Sequence, residues 1–355
     1  MTAPHKQYSK FQQRPPWFGG HLQTLRNTLI PARVDLRLIS KEEHCTAKMD
    51  DGSHDALALL FNTPHSPPQA DSGVSSQTAP QVNRPTCVLL HGLGGSADSL
   101  YMRTTAYALL EKNFPVLRVN LRGAGQSGRL CAQQGHAGLT QDIRTVLSWF
   151  AQAHPEHARH GIVLAGYSLG GNTTLKFLGE LSDSPSQDSP QVLAGAAVCA
   201  PIDLAGGAAH IHGWPRRPYE KAMLRGLKQQ ALRPEAILSL ERRAAAGQAS
   251  SLTEFDDIVI APCNGYKNAH HYYAENSSRS FLPKITIPCL VLHALDDPVI
   301  SNKQYKEVKW EANPWLQPLF TNRGGHVGFH GRHDPRPWYA HCLTSFFEGA
   351  EKLAD

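Results

Sequence analysis

Gly161-Ile162-Val163-Leu164-Ala165-Gly166-Tyr167-Ser168-Leu169-Gly170-Gly171-Asn172 decides how the rest of the chain is read. Its first five residues are apolar and partly β-branched, as in a strand buried on both faces. Beyond it, Leu175, Leu178 and Leu181 recur at helical spacing. Between strand and helix lies the pattern G-x-S-x-G. A strand that turns at once into a helix forces the serine backbone into a strained conformation. Only very small residues fit two positions before and after it, here Gly166 and Gly170. The strain lifts the Ser168 hydroxyl clear of the sheet. It also aims the first amides of the helix at whatever the serine attacks.

Working outward, strands and helices alternate. Cys87–Leu90 predicts a buried strand that ends in His91-Gly92-Leu93-Gly94-Gly95-Ser96, with a helix at about 97–112. Pro115–Asn120 predicts a second strand, ending in Leu121-Arg122-Gly123. Gly138–Ala153 predicts a helix with Ile143, Val146, Leu147 and Phe150 on one face. Val192–Cys199, Ile287–His293 and Leu319–Thr321 add strands, and a helix at about 336–352 closes the chain. This alternation predicts an α/β fold: a mostly parallel central sheet flanked by helices and wound with right-handed crossovers. Residues 201–283 break the rhythm. They carry polar helical stretches around Tyr219–Leu232 and Pro234–Ala246 and no buried-strand run, so they predict a helical lid inserted over the sheet's C-terminal edge.

The catalytic domain is expected over 86–355, preceded by an accessory region over 1–85. There, residues 11–30 combine prolines and large aromatics without periodicity, as in an aromatic-anchored arm. A partly alternating run Ala32–Ser40 is followed by Ala47–Phe61, and Asp51-Gly52 within the latter signals a hairpin. Residues 62–85 are rich in Pro, Ser, Gln, Asn and Thr and predict a flexible surface loop.

A chain of 355 residues with 41% hydrophobic and 18% charged residues is globular in composition. The net charge of +5 is scattered, with no basic stripe interleaved with aromatics, which argues against nucleic acid as a partner. The seven cysteines show no C-x-x-C spacing and suit a reducing compartment. The N-terminus has no apolar signal core, and no run approaches the ~18 apolar residues of a membrane span. These features predict a cytoplasmic protein and leave room for peripheral membrane contact. Nineteen histidines invite a metal reading. The clusters His210/His212, His270/His271 and His326/His330/His333 lack Cys or carboxylate partners at a recognised spacing, so no metal is expected.

An exposed serine is a weak nucleophile without a base, an orienting acid and an oxyanion hole. In open α/β sheets these come from loops at the C-terminal ends of strands. The acid is expected after Ile287–His293, where Asp296-Asp297-Pro298 stands. Asp297 is preferred because it directly precedes the turn proline, with Asp296 as competitor. Two adjacent side chains cannot both point at one histidine, so the other is expected to form a turn. The base is expected after the last strand, where Gly324-Gly325-His326-Val327-Gly328 lets a flexible loop deliver His326. The oxyanion donors are expected to be the backbone amides of Leu169, just after the serine, and of Leu93, in the loop after the first core strand Cys87–Leu90. The order serine, acid, histidine predicts a Ser-Asp-His hydrolase working through an acyl-enzyme. An acyltransferase, a thioesterase, or a non-catalytic binding protein on the same scaffold are the alternatives.

With these residues in place, the chain resembles the α/β-hydrolase superfamily, and within it the YheT-like branch. The stretches that carry the likeness are Pro16-Trp17, His21-Leu22-Gln23-Thr24, His91–Ser96, Asn120–Gly123, His136-x-Gly138-Leu139-Thr140-x-Asp142, Gly166–Gly171, Gly265-Tyr266, Asp296–Pro298 and Gly324–Phe329. The resemblance implies esterase or acylglycerol-lipase activity on a small-molecule or lipid ester, no cofactor, and the triad Ser168, Asp297 and His326. The membrane anchor of eukaryotic relatives has no counterpart here, so membrane residence does not carry over. Arg122, Asp142 and His21 are expected to be structural anchors.

Overall fold

The computed structural model describes residues 8–30, 34–65, 83–181, 189–332 and 334–351. Its strands in chain order are β1 (Ser40–Lys48), β2 (Ala56–Pro64), β3 (Thr86–Leu90), β4 (Val116–Val119), β5 (Ile162–Tyr167), β6 (Val192–Val198), β7 (Cys289–Ala294) and β8 (Leu316–Thr321). They form one eight-stranded sheet in the order β1-β2-β4-β3-β5-β6-β7-β8. β2 is antiparallel to both its neighbours, and every pairing from β4 to β8 is parallel.

Successive side chains on a strand face opposite sides, so the sheet carries two cores. Val88, Leu90, Leu164 and Val291 face the helices Thr140–Ala153 and Leu169–Glu180. Leu89, Val163, Ala165 and Leu292 face the helices Leu100–Leu110 and Trp338–Glu351. Each fully buried Leu or Val contributes about 1.5–3 kcal/mol through removal from water. The register sets the site. Leu90 pairs with Gly166, so β3 ends beside the start of the Tyr167-Ser168 turn.

Residues 201–283, all described, form only helices and turns, among them Leu204–His212, Arg217–Ala231, Leu240–Gln248 and Ala269–Asn276. They build a third core around Leu224, Leu227, Phe255, Ile260 and Tyr272. Leu93 and Leu169 pack against that core and join it to the strand ends. The helix expected over Pro234–Ala246 begins only at Leu240, where the Ser239 side chain caps the Arg242 amide.

The accessory region differs from expectation in three places. The hairpin turns at Asp51-Gly52, but its first strand is Ser40–Lys48 rather than Ala32–Ser40. This is an edge strand, whose charged side chains face water and so hide the alternation. β2 runs on to Pro64, so the expected loop loses its first residues; residues 66–82 of it lie outside the described residues. Finally, residues Gly19–Leu29 form a helix where an aperiodic arm was expected. Among the described residues, no helix is long and apolar enough to cross a membrane.

Candidate active site

Ser168 sits between β5 and its helix with φ 49° and ψ −120°, a conformation that ordinary residues avoid. The flanking glycines are required sterically. A Cβ on Gly166 would lie 2.2 Å from the Gly170 carbonyl oxygen, and one on Gly170 would lie 2.4 Å from that of His91. Gly92 is equally confined, since a Cβ there would come within 2.9 Å of the Ser168 Cβ.

The loop after β8 brings His326 Nε2 to 2.9 Å from Ser168 Oγ. Its Nδ1 lies 2.8 Å from Asp297 Oδ2, in the loop after β7. A proton on Nδ1 donated to Asp297 leaves Nε2 free to accept from the serine hydroxyl. Asp297 is buried, which opposes its charge. The facing His326, with His293 and the Ile300 amide, outweighs burial and holds its pKa below the usual carboxylate value.

The two adjacent aspartates divide the work differently from expectation. Asp297 both meets His326 and makes the turn, for its Oδ1 accepts the amides of Val299 at 2.8 Å and Ile300 at 3.0 Å. Asp296 supports the histidine loop instead, with Oδ1 accepting the Gly325 amide at 2.9 Å.

Leu93 and Leu169 both line the cavity that Ser168 opens into. Leu169 is the first residue of its helix, so its amide has no intrahelical acceptor. Among the described residues neither amide has a hydrogen-bond partner. The loop carrying Leu93 is pinned by His91, whose Nδ1 meets the Gly92 carbonyl at 2.8 Å while Nε2 accepts the Leu121 amide at 3.1 Å. Burial pushes the His91 pKa down to about 4, which keeps the ring neutral and this tautomer fixed. The cavity holds about 740 Å³ including its open mouth, and its walls are mainly apolar, with Ile211, Met223, Leu227 and Leu252 from the 201–283 segment.

The helix Gly19–Leu29 contributes residues that sequence reasoning did not place here. The Thr24 hydroxyl accepts the His326 amide at 2.8 Å. Gln23 bonds the His330 backbone in both directions, at 2.7 and 3.2 Å, and Asn27 reaches the Val327 carbonyl at 3.3 Å. The branch-specific His-Leu-Gln-Thr stretch was the available signal. His21 Nδ1 pairs with the Tyr219 hydroxyl at 2.8 Å, outside this set.

Arg122 is buried in a cage of Asp142, Asp55 and Asp51 at 2.7 to 3.0 Å. Burial opposes its charge, but the carboxylates outweigh it and raise its pKa. The cage ties the hairpin turn to the loop after β4. It touches neither Ser168 nor His326.

The histidine clusters disperse. His212 pairs with Glu220 at 3.0 Å, His271 accepts the Lys267 amide, and the His330 backbone amide donates to Gln23 on the helix Gly19–Leu29; His333 lies outside the described residues. Cys199, His293 and Asp297 place potential ligand atoms within 4.8 Å of one another. Asp297 is already committed to His326 and two amides, so this group fits a metal poorly.

The sequence family described as serine aminopeptidase, S33, matches residues 81–314. The putative esterase YheT of Escherichia coli is 31% identical over 264 residues, covering 74% of this chain and 75% of that protein. A monoacylglycerol lipase of Saccharomyces cerevisiae is 28% identical over 277 residues, covering 75% of this chain but only 59% of its own length. The Pyrococcus furiosus esterase Pf2001 has the same fold, with a TM-score of 0.56 at 15% identity over 90% of this chain and 97% of that one. The strand order, the strained Ser168 turn and these matches together make the chain a member of the α/β-hydrolase family, in its YheT-like group.

Proposed function

We propose that the protein hydrolyses carboxylic esters, of the carboxylesterase or acylglycerol-lipase type, through an acyl-enzyme on Ser168. One observation carries this reading: Ser168 Oγ, His326 and Asp297 form a continuous hydrogen-bonded line at the floor of an apolar cavity. In the first step His326 Nε2 takes the serine proton as Oγ attacks the ester carbonyl. The amides of Leu93 and Leu169 bind the oxyanion, each worth about 2.7–4 kcal/mol in the transition state. His326 then gives its proton to the departing alcohol. Water, activated by the same imidazole, releases the acid. Asp297 holds the imidazole in the productive tautomer and stabilises its charged form. The helices of residues 201–283 act as a lid whose apolar wall sets substrate size. Among the described residues no disulfide joins any of the seven cysteines, which supports a reducing compartment such as the cytoplasm.

A fluorophosphonate probe tests the nucleophile. It is expected to label the wild type and not Ser168→Ala, and labelling of the alanine variant would remove Ser168 from the mechanism. A p-nitrophenyl ester series then reads chain-length preference. Adding alcohols separates hydrolysis from acyl transfer, since a product that is mainly the new ester would replace the hydrolase reading with a transferase.

A further inference from the structure

One wall of the cavity is at odds with the rest. Asp256 stands in it beside Leu227, Leu252 and Ile260. It opens a five-residue π-turn, Asp256–Ile260, in which the Ala261 amide reaches back to the Asp256 carbonyl. Such turns insert one extra residue into a helix and redirect a side chain, often at functional sites. Here the carboxyl is half paired. Its Oδ2 accepts the Tyr273 hydroxyl at 2.7 Å. Its Oδ1 has no hydrogen-bond partner among the described residues.

Asp256 is only partly buried, so this acceptor meets water in the open cavity until a substrate group that can donate displaces it. A plain alkyl acyl chain has no donor, and no other feature of the proposed ester chemistry uses this group. Resting on the ester-hydrolase reading above, we propose that Asp256 is a specificity residue that accepts a hydrogen bond from a free hydroxyl of the substrate ester. The apolar wall then holds the hydrocarbon part, and the Asp256–Tyr273 pair selects esters of polyols or of hydroxy acids over plain alkyl esters.

A hydroxyl fits better than an ammonium group. Burial pushes the Asp256 pKa up to about 7, so near neutrality the group is present as both acid and carboxylate. A hydroxyl bonds to either form, whereas an ammonium group needs the anion.

The test compares kcat/KM on four small esters: glyceryl monobutyrate, ethyl 3-hydroxybutyrate, propyl butyrate and β-alanine ethyl ester. The wild type is expected to favour one of the two hydroxylated esters over propyl butyrate. Which one it favours says whether the hydroxyl belongs to the alcohol or the acid. The double variant Asp256→Leu/Tyr273→Phe removes both polar partners together, so no buried hydroxyl is left unpaired. It is expected to lose roughly 10- to 100-fold on the preferred hydroxylated ester and under about threefold on propyl butyrate. If the variant does not fold, the wild-type ratios alone decide. Equal wild-type rates on hydroxylated and plain esters, parallel losses in the variant, or preference for the β-alanine ester would each overturn the proposal. Hydrolysis of p-nitrophenyl butyrate is the parallel control. If it depends on Ser168 while the hydroxyl preference is missing, only the Asp256 proposal falls. If no Ser168-dependent hydrolysis occurs, the ester-hydrolase reading falls and takes the proposal with it.

Discussion

The backbone amide of His326 donates to the hydroxyl of Thr24 at 2.8 Å, across 302 positions of sequence. The base of the proposed triad is thus held from behind by a helix that precedes the whole sheet. That helix is inserted closely. A Cβ on Gly20 would lie 1.8 Å from the Asp296 carbonyl oxygen, and one on Gly325 would lie 2.4 Å from the Gly20 carbonyl oxygen.

Thr24→Val removes the acceptor while keeping the shape. The His326 loop then loses one anchor, and small misplacements of a base are expensive in rate. A fall of about 10- to 100-fold in kcat, with KM nearly unchanged, is expected. Thr24→Ser retains the hydroxyl and is expected to restore most of it. A purely structural role would instead lower thermal stability in both variants and leave the kcat of the folded fraction intact.

The glycines of the Ser168 turn give a steric prediction. Gly166→Ala places a methyl 2.2 Å from the Gly170 carbonyl oxygen, so the turn must open. Loss of fluorophosphonate labelling and a lowered melting temperature are expected together. Gly247→Ala is the control, since a Cβ there meets nothing within 4 Å and the residue lies in the helix Leu240–Gln248. It is expected to stabilise by about 0.5–1 kcal/mol, read from denaturant unfolding.

The two aspartates separate by rate. Asp297→Asn keeps the volume but favours the wrong imidazole tautomer, so a kcat loss of about 1,000- to 10,000-fold is expected. In Asp296→Asn the side-chain oxygen still accepts the Gly325 amide, and the loss is expected to stay within about tenfold. Similar losses in the two variants would remove the distinction drawn from the 2.8 Å contact between Asp297 and His326.

The strands around Ser168 were legible because they are buried on both faces and read as apolar runs, as in Ile162–Tyr167. The helix Gly19–Leu29 was not, for a physical reason. Its buried side is polar, with Gln23, Thr24 and Asn27 bonded to the His326 loop. Its apolar residues Leu22, Leu25 and Leu29 are exposed, as is Phe18 just before it. A hydrophobicity pattern assigns such a helix the wrong face or none. Asp256 escaped for a similar reason. One carboxyl of the adjacent pair Asp256-Asp257 looks solvated until the fold turns it towards an apolar cavity. The choice between Asp296 and Asp297 was narrowed by turn chemistry. It did not foresee that one carboxylate could use its two oxygens for the turn and the histidine at once.

Buried imidazoles make the protein sensitive to acid. His91, His293 and His330 are each no more than 3% exposed. Burial, joined for His330 by the charges of Arg26 and Arg14 and for His293 by His326, pushes their pKa values down to about 4, 4 and 3 respectively. In the unfolded chain each titrates near ~6.5. Between those values the unfolded state binds more protons, so stability falls as pH falls through the window, by up to about 1.4 kcal/mol per pH unit per histidine. Asp297, held below its unfolded value, adds a loss of the same sign only at more acid pH. The melting temperature is therefore expected to be nearly level from pH 8 to 6.5 and to drop steeply from 6.5 towards 4. His293→Phe retains a ring against Tyr305, on which His293 stacks at 3.9 Å, and removes one titrating group. It is expected to make the slope shallower by one imidazole's share. A melting temperature independent of pH across the window would mean that these rings are already charged, and paired, in the folded protein.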